Sequence, residues 1–409
     1  MLARMSTTEF DPTAPLPGPP DPWASTDQPV ARGEPPFHMT EMIEAEPSIA
    51  ERILAQHEPS DGGAARLARA IRKAVASGDP IVVTGCGTSE HAALGVTQIL
   101  REAVRGAGLT GPGGRDVREP VSEQAFELSL DPPSNGIVIG ISHEGATTAT
   151  NAALAASGSA GARTAIITVT ERSPGASMAD IVVQTGELDQ SWCHTVGYTS
   201  PMVAAVAVAG HLASRPPDVE MRTAVHELMS AGVGRTAAAE SAAARLAGAD
   251  PILVIASGAD RTAGRELTLK IEEGTWIPAA FRDLETFLHG HLSALRGSSG
   301  LVLILTDRDR RPERLARAAG ALRAAHTIGI GVAAILAADA AADLPTDLTP
   351  AGRIVIPEAP TLPASVAALL GSAIPLQLLT ERLARARGVD PDAIHRDVDR
   401  YRAAADAAD

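Results

Sequence analysis

Short runs of aliphatic residues recur along the chain, each followed by a glycine turn and then by a stretch with helical spacing. The first cycle is IVVTG at 81–85, with a helix starting near Ser89. GIVIGIS at 136–142 predicts a second strand, and ATTATNAALAAS from Ala146 the helix after it. AIITVT (165–170) and DIVVQTG (180–186) predict two more strands, parted by the turn signal SPGAS. Residues 216–248 predict a long linking helix, after which the scheme returns. PILVIAS (251–257), GLVLILT (300–306) and RIVIPE (353–358) are its strands, and RPERLARAAGALRAAH is a helix. Uninterrupted apolar strands alternating with helices predict parallel sheets covered on both faces. The expected fold class is α/β, with two doubly wound halves in tandem.

Upstream, FHMTEMIEAEPSIAERIL is amphipathic but interrupted by Pro47, which predicts two short helices. Residues 1–36 carry PLPGPPDP and GEPP, too little apolar surface to offset their ordering entropy, and predict a disordered segment. The expected organisation is therefore a disordered segment at 1–36, helices at 37–63, a first domain at 64–215, a linking helix at 216–248, a second domain at 249–385 and a tail at 386–409.

Composition narrows the picture. The 409 residues exceed one ordinary core, and 45% are hydrophobic while only 2% are aromatic, so Ala, Val, Leu and Ile must fill the interior. Against 35 basic residues stand 49 acidic ones, a net charge of −14 spread along the chain. Such a surface repels nucleic acid and anionic lipid, and neither is expected as a partner. The two cysteines, Cys86 and Cys193, exclude a disulfide framework and offer no CxxC metal spacing. No run of about eighteen uncharged apolar residues is found. The N-terminus lacks the basic-then-apolar order of a signal peptide, so the expected compartment is the cytoplasm.

Three stretches carry candidate chemistry. In TGCGTSEHA (84–92) a strand ends in glycines, and Thr88 and Ser89 begin a helix. Hydroxyls and free N–H groups there make either an anion site or a plain N-cap. ISHEGATTAT (141–150) repeats the arrangement with Ser142, His143 and Thr147, and adjacent strand ends in an open sheet converge on one crevice. Neither turn is a GxGxxG dinucleotide site. The third stretch, RELTLKIEEGTWIPAAFRDLETFLHGHLSAL (265–295), sets Lys270 and Glu273 on one helix face, as a surface salt bridge or as a working pair. His289 and His291 flank Gly290, a structural pair or a metal pair; the spacing of nearby Cys, Asp and Glu is poor for a metal, and none is expected.

The order CGTS, S-x-x-G-x-T, a helix with E-x-x-x-K-x-x-E and a loop ending in HG resembles the double sugar-isomerase (SIS) domain family, and within it the isomerase half of glutamine–fructose-6-phosphate aminotransferases. The resemblance covers about 38–399, takes in the tail GVDPDAIHRDVDR, and keeps sixteen residues between Glu273 and His289. It implies two flavodoxin-like SIS domains with a phosphosugar bound between them and no metal or organic cofactor. Cys86, Gly87, Thr88 and Ser89 would line the pocket, with Ser142, His143 and Thr147 on the phosphate. Val196 and Thr199 would lie on a loop closing the sugar site. Glu273 would be the base that moves a proton between C1 and C2, Lys270 the cation that offsets developing charge, and His289 the ring opener, supplied by the partner in a homodimer.

The chain also departs from the family. Glu144 stands where a second phosphate-binding serine is common, and His143 replaces a glutamine and could supply positive charge. The lysine near the C-terminus is replaced by Asp399 or Arg400, and no glutaminase domain is expected to precede the first SIS domain. The expected activity is aldose–ketose isomerisation of a phosphosugar, probed most naturally among amino-sugar phosphates, with deamination as a variant. The alternative is a non-catalytic regulatory protein that binds a sugar phosphate.

Overall fold

The computed structural model describes residues 10–18 and 32–408. Residues 1–9 and 19–31 of the expected disordered segment lie outside the described residues. The described piece at 10–18 departs from that expectation. Its Leu16 is buried in the core and donates its N–H to Glu187 Oε2 at 2.9 Å, and Arg52 Nη1 holds Thr13 O at 3.0 Å.

The first helices are α1 (His38–Gln56) and α2 (Gly63–Ser77). The first lobe follows as β1 (Ile81–Gly85), α3 (Thr88–Gly106), β2 (Val121–Gln124), α4 (Ala125–Leu130), β3 (Ile137–Ile141), α5 (Thr148–Ala160), β4 (Arg163–Thr168), α6 (Pro174–Met178) and β5 (Ile181–Gln184). Helices α7 (Val196–Leu212), α8 (Val219–Val233) and α9 (Thr236–Leu246) lead to the second lobe. That lobe contains β6 (Ile252–Ala256), α10 (Asp260–Thr275), β7 (Ala279–Asp283), α11 (Leu284–Phe287), β8 (Gly300–Leu305), α12 (Arg311–Ile328), β9 (Gly331–Ala337), α13 (Ala338–Asp343) and β10 (Gly352–Ile356). Helices α14 (Ala364–Arg387) and α15 (Asp399–Asp406) close the chain.

Both sheets have five strands, all parallel, in the orders β2-β1-β3-β4-β5 and β10-β9-β8-β6-β7. Counted from its own first strand, the second sheet repeats the order of the first, read from the opposite edge. Every residue of β1, β3, β6 and β8 is buried, as strands covered on both faces must be. The expected fold class is the one found.

Two helical expectations are corrected. The segment around Pro47 is one helix, α1, with the proline inside it. An internal proline costs about 3 kcal/mol, but Met39, Met42 and Ile43 before it and Ile49, Ile53 and Leu54 after it enter the same core. The 216–248 link is two helices, broken where Arg235 N–H bonds Gly232 O and Thr236 Oγ1 bonds Val233 O. The break lets α8 pack on α1 while α9 turns onto β10. A Cβ at Gly232 would sit 3.0 Å from Ile374 Cβ, so glycine also permits close approach to α14.

Helix α14 is long and apolar enough to cross a membrane by length and composition alone, yet 89% of that window is buried inside the molecule. It packs on α8, α9 and α10 and also meets α1, α3 and α7. A single core cluster runs through both lobes, including Ile139 of β3, Val254 of β6 and Leu369 of α14. That shared core fixes one lobe against the other, and with it the crevice between them.

Candidate active site

In an open parallel sheet the crevice lies beyond the carboxyl ends of the strands where their order reverses, here between β1 and β3. After β1 the chain turns at Gly87, whose φ of 57° and ψ of −130° belong to a region glycine enters freely, and α3 begins at Thr88. After β3, Ser142 Oγ accepts the Gly145 N–H at 3.1 Å and lies 3.1 Å from Thr147 Oγ1, and α5 begins at Thr148. Gly145 has φ of 72°, and a Cβ there would meet Ser173 Oγ at 2.1 Å. Both turns aim a helix N-terminus and its hydroxyls at one place.

That place is a cavity of about 270 Å³, near the lower end of the roughly 300–1,000 Å³ usual for small-molecule sites. Cys86, Thr88 and Ser89 line it from the first turn, and His143, Glu144 and Thr147 from the second. Glu273, on α10 of the second lobe, closes the far side. The remaining walls are Trp192, His194, Ile394 and Arg396.

Several expected residues stand elsewhere. Gly87 and Ser142 shape the turns and do not form the cavity wall. Lys270 is fully buried behind Glu273. Val196 and Thr199 are not on a loop: both lie in the first turn of α7, buried, with Thr199 Oγ1 donating to Thr195 O at 3.4 Å. The cause is Asp189, whose Oδ2 accepts the N–H groups of Thr195 (2.7 Å) and Gly197 (3.1 Å), starting the helix early. His289 lies past α11 on the outer face of the second lobe, its side chain 70% exposed and its Nε2 2.7 Å from Glu285 Oε1. Within this chain it does not join Glu273.

Behind the cavity runs a charged relay. Lys270 Nζ is 2.5 Å from Glu273 Oε2 and 3.6 Å from Glu266 Oε1. Glu266 Oε2 is 2.7 Å from His91 Nδ1, and Thr88 Oγ1 donates to Glu266 Oε1 at 3.4 Å. Burial pulls the Lys270 ammonium down, but Glu273, Cys193 and Glu266 outweigh it and hold the lysine above its ordinary pKa. Burial likewise lifts the Glu273 carboxyl, opposed by Lys270. The result is a permanently charged lysine beside a carboxylate that accepts a proton more readily than an exposed glutamate.

The imidazoles behave otherwise. His143 is buried, its Nε2 accepts the Asp189 N–H at 2.9 Å, and its ring centre lies 5.4 Å from that of His194. Burial and then His194 push the His143 pKa down to about 3, and burial pushes His194 to about 3 as well. Both rings are neutral at physiological pH, so the expectation that His143 supplies positive charge is corrected. Burial raises the Glu144 carboxyl, with Arg396 opposing. The positive charge at the mouth belongs to Arg396.

Sequence reasoning missed Trp192, His194, Ile394 and Arg396 as wall residues, and missed His91 in the relay. Glu266 stood in plain view as the first residue of the E-x-x-x-K-x-x-E pattern. His91 lay in view too, within TGCGTSEHA, while the wall residues share no motif, being brought together by the Asp189-capped turn and by the tail.

No family model matches the sequence, and no curated protein matches it. Solved structures do match. The C-terminal domain of glucosamine-fructose-6-phosphate aminotransferase from Francisella tularensis superposes with a TM-score of 0.74 at 16% identity, over 89% of this chain and 99% of that one. Tagatose-6-phosphate ketose/aldose isomerase from Escherichia coli gives 0.69 at 17% identity, over 90% and 98%. Glucosamine-6-phosphate deaminase from Thermotoga maritima gives 0.57 at 15% identity, over 83% and 97%. The chain therefore has the tandem sugar-isomerase fold that its motifs pointed to.

Proposed function

We propose that this chain is a cytoplasmic aldose–ketose isomerase for a phosphorylated sugar, with amino-sugar phosphates the first class to try and deamination a variant of the same chemistry. The observation that carries the reading is the Glu273 carboxylate, which opens into the cavity opposite two hydroxyl-bearing helix N-termini. Helix starts favour an anion by their dipoles and free N–H groups, which suits a phosphate at Thr88, Ser89 and Thr147. The sugar's reacting carbons then lie toward Glu273.

In this reading Glu273 takes the C2 proton of an open-chain aldose. The C–H electron pair becomes the C1=C2 bond, and the carbonyl pair moves to O1, which is protonated to the enediol. Return of the proton to C1, with O2 losing its own proton to become the carbonyl, gives the ketose. A carboxyl lifted by burial suits this shuttling, since it takes up a proton more readily than an exposed glutamate. Lys270 stands behind Glu273, so its part is to keep that carboxylate ionised and aimed between turnovers. Ring opening needs another group, and His289, exposed on the second lobe, fits the site of a second subunit in a homodimer.

A second reading, a regulator that binds a sugar phosphate without turning it over, draws on Glu144, an acid inside an anion-binding turn. Exchange in deuterated water separates the two. A panel of hexose 6-phosphates and amino-sugar 6-phosphates should yield one compound that incorporates deuterium at C1 or C2, and Glu273→Gln should stop incorporation while the thermal shift by that compound persists. Binding without incorporation across the panel would favour the regulator.

A further inference from the structure

Arg396 is exposed at the cavity wall, and among the described residues its guanidinium makes no hydrogen bond and no ion pair. Its one close partner is the Trp192 ring, whose centroid lies 3.2 Å from the guanidinium carbon. Stacking occupies the flat faces of a guanidinium and leaves its edge, where the N–H donors lie, free.

The surroundings hold this side chain in place. Trp192 sits in the turn ordered by Asp189, and its N–H donates to Asp392 O at 3.2 Å. The Asp392 carboxylate in turn caps α1 through the N–H groups of His38 (2.7 Å) and Met39 (2.8 Å). Ile394 and His395 follow with φ of 41° and 61°. For a β-branched residue that conformation is strained, and strained backbone persists where the surroundings enforce it and function uses it. On the other side His395 stacks between Trp276, one turn beyond Glu273, and Tyr401. The tail is thus bolted at both ends, with Arg396 delivered to the cavity between the bolts.

We propose that Arg396 clamps the substrate's phosphate, gripping by its free edge an anion whose other oxygens meet the N-termini of α3 and α5. The inference rests on the phosphosugar reading and deepens it: the repulsion that an anion meets from Glu144 in the cavity wall is offset by a cation delivered from the tail. Bidentate contact is the geometry in which arginine recognises phosphate best.

The test is titration with inorganic phosphate, followed by thermal shift and calorimetry at constant ionic strength in chloride. The wild-type chain is expected to bind phosphate. Arg396→Gln should weaken binding at least tenfold and Arg396→Lys by less, with unchanged near-ultraviolet circular dichroism confirming the fold. Glu144→Gln, which leaves Arg396 intact, should tighten binding several-fold. Equal phosphate affinity in wild type and Arg396→Gln, or none in wild type, overturns the clamp. The failure is distinct from that of the isomerase reading, because deuterium incorporation by Glu273 with an identified sugar stands or falls separately. With such a sugar, Arg396→Gln should raise KM far more than it lowers kcat.

Discussion

Lys270 Nζ lies 2.5 Å from Glu273 Oε2, the lysine wholly enclosed and the glutamate partly open to the cavity. Three positions apart on α10, the two share one helix face, but this pair is no surface ion pair. Glu266, one turn earlier, is buried beside them. Replacing Lys270 with Met would leave the buried Glu266 and the half-covered Glu273 without their shared cation, and breaking a buried pair costs up to about 3–5 kcal/mol. Urea unfolding should show that loss. Because Lys270 opposes the burial that lifts Glu273, its removal should also move the acid limb of the pH–rate profile to higher pH. A limb that stays where it was would remove Lys270 from any role in tuning the base.

The proposal that a second subunit supplies His289 makes its own prediction. Glu273→Gln and His289→Asn homodimers should each be inactive as isomerases, and mixing them under exchange conditions should restore turnover, since each heterodimer holds one intact site. Among the described residues His289 is paired only with Glu285, whose pKa is held down to about 2, chiefly by Arg317 and then by His289 itself. Its substitution should therefore leave the monomer fold intact. No recovery on mixing, with subunit exchange verified, would confine catalysis to one chain.

Much of this was legible in the sequence, for reasons that residues make plain. IVVTG, GIVIGIS, PILVIAS and GLVLILT became β1, β3, β6 and β8 because central parallel strands are apolar throughout. Edge strands β2 (VSEQ) and β7 (AAFRD) were not read, since half-covered strands carry no continuous apolar run. Strand β9 (GVAAILA) escaped for another reason, its alanines suiting a helix equally well. At the site, motifs located Thr88, Ser89, Thr147 and Glu273. They could not locate Arg396 or Trp192, whose meeting depends on tail packing. Nor could they give the charge of His143, which burial and the Asp189 N–H decide.

Glu46 predicts a pH dependence of stability. It is enclosed between α1, α7 and α14, with Oε1 accepting from Gln377 Nε2 at 2.9 Å and Oε2 unpartnered among the described residues. Burial pushes its carboxyl well above the ordinary value of 4.5. A carboxyl that holds its proton more tightly folded than unfolded costs stability as pH rises from the unfolded pKa toward the folded one. Glu46→Gln removes that cost. In urea at about pH 5 and about pH 8, the variant should gain on wild type at the higher pH. A difference that does not change with pH would show that Glu46 is not the titrating group.

The two lobes have one topology, yet only the first crevice is read here as a ligand site, and the second lobe shows why. At its matching switch point, between β6 and β8, the cavity is larger, about 580 Å³. Several of its backbone donors are already taken. Asp307 Oδ2 accepts the Ala259 N–H at 2.9 Å and Arg314 Nη1 at 2.5 Å, and Asp260 Oδ2 accepts the N–H groups of Thr306 (2.7 Å) and Asp307 (2.9 Å). Glu102 holds the first N–H groups of α14, those of Ala364 and Ser365. The chain's own carboxylates fill the place an anion would take, so volume alone attracts nothing. Asp307→Ala should cost about 1–3 kcal/mol by leaving buried donors unpaired. Phosphate should bind the wild-type chain with a stoichiometry of one, because in the second crevice Asp260, Asp307 and Glu102 already hold the N–H groups at the strand ends and at the start of α14. Two equivalents per chain in calorimetry would mean that Asp307 and Asp260 yield to an outside anion, and that the two crevices are alike in function as well as in topology.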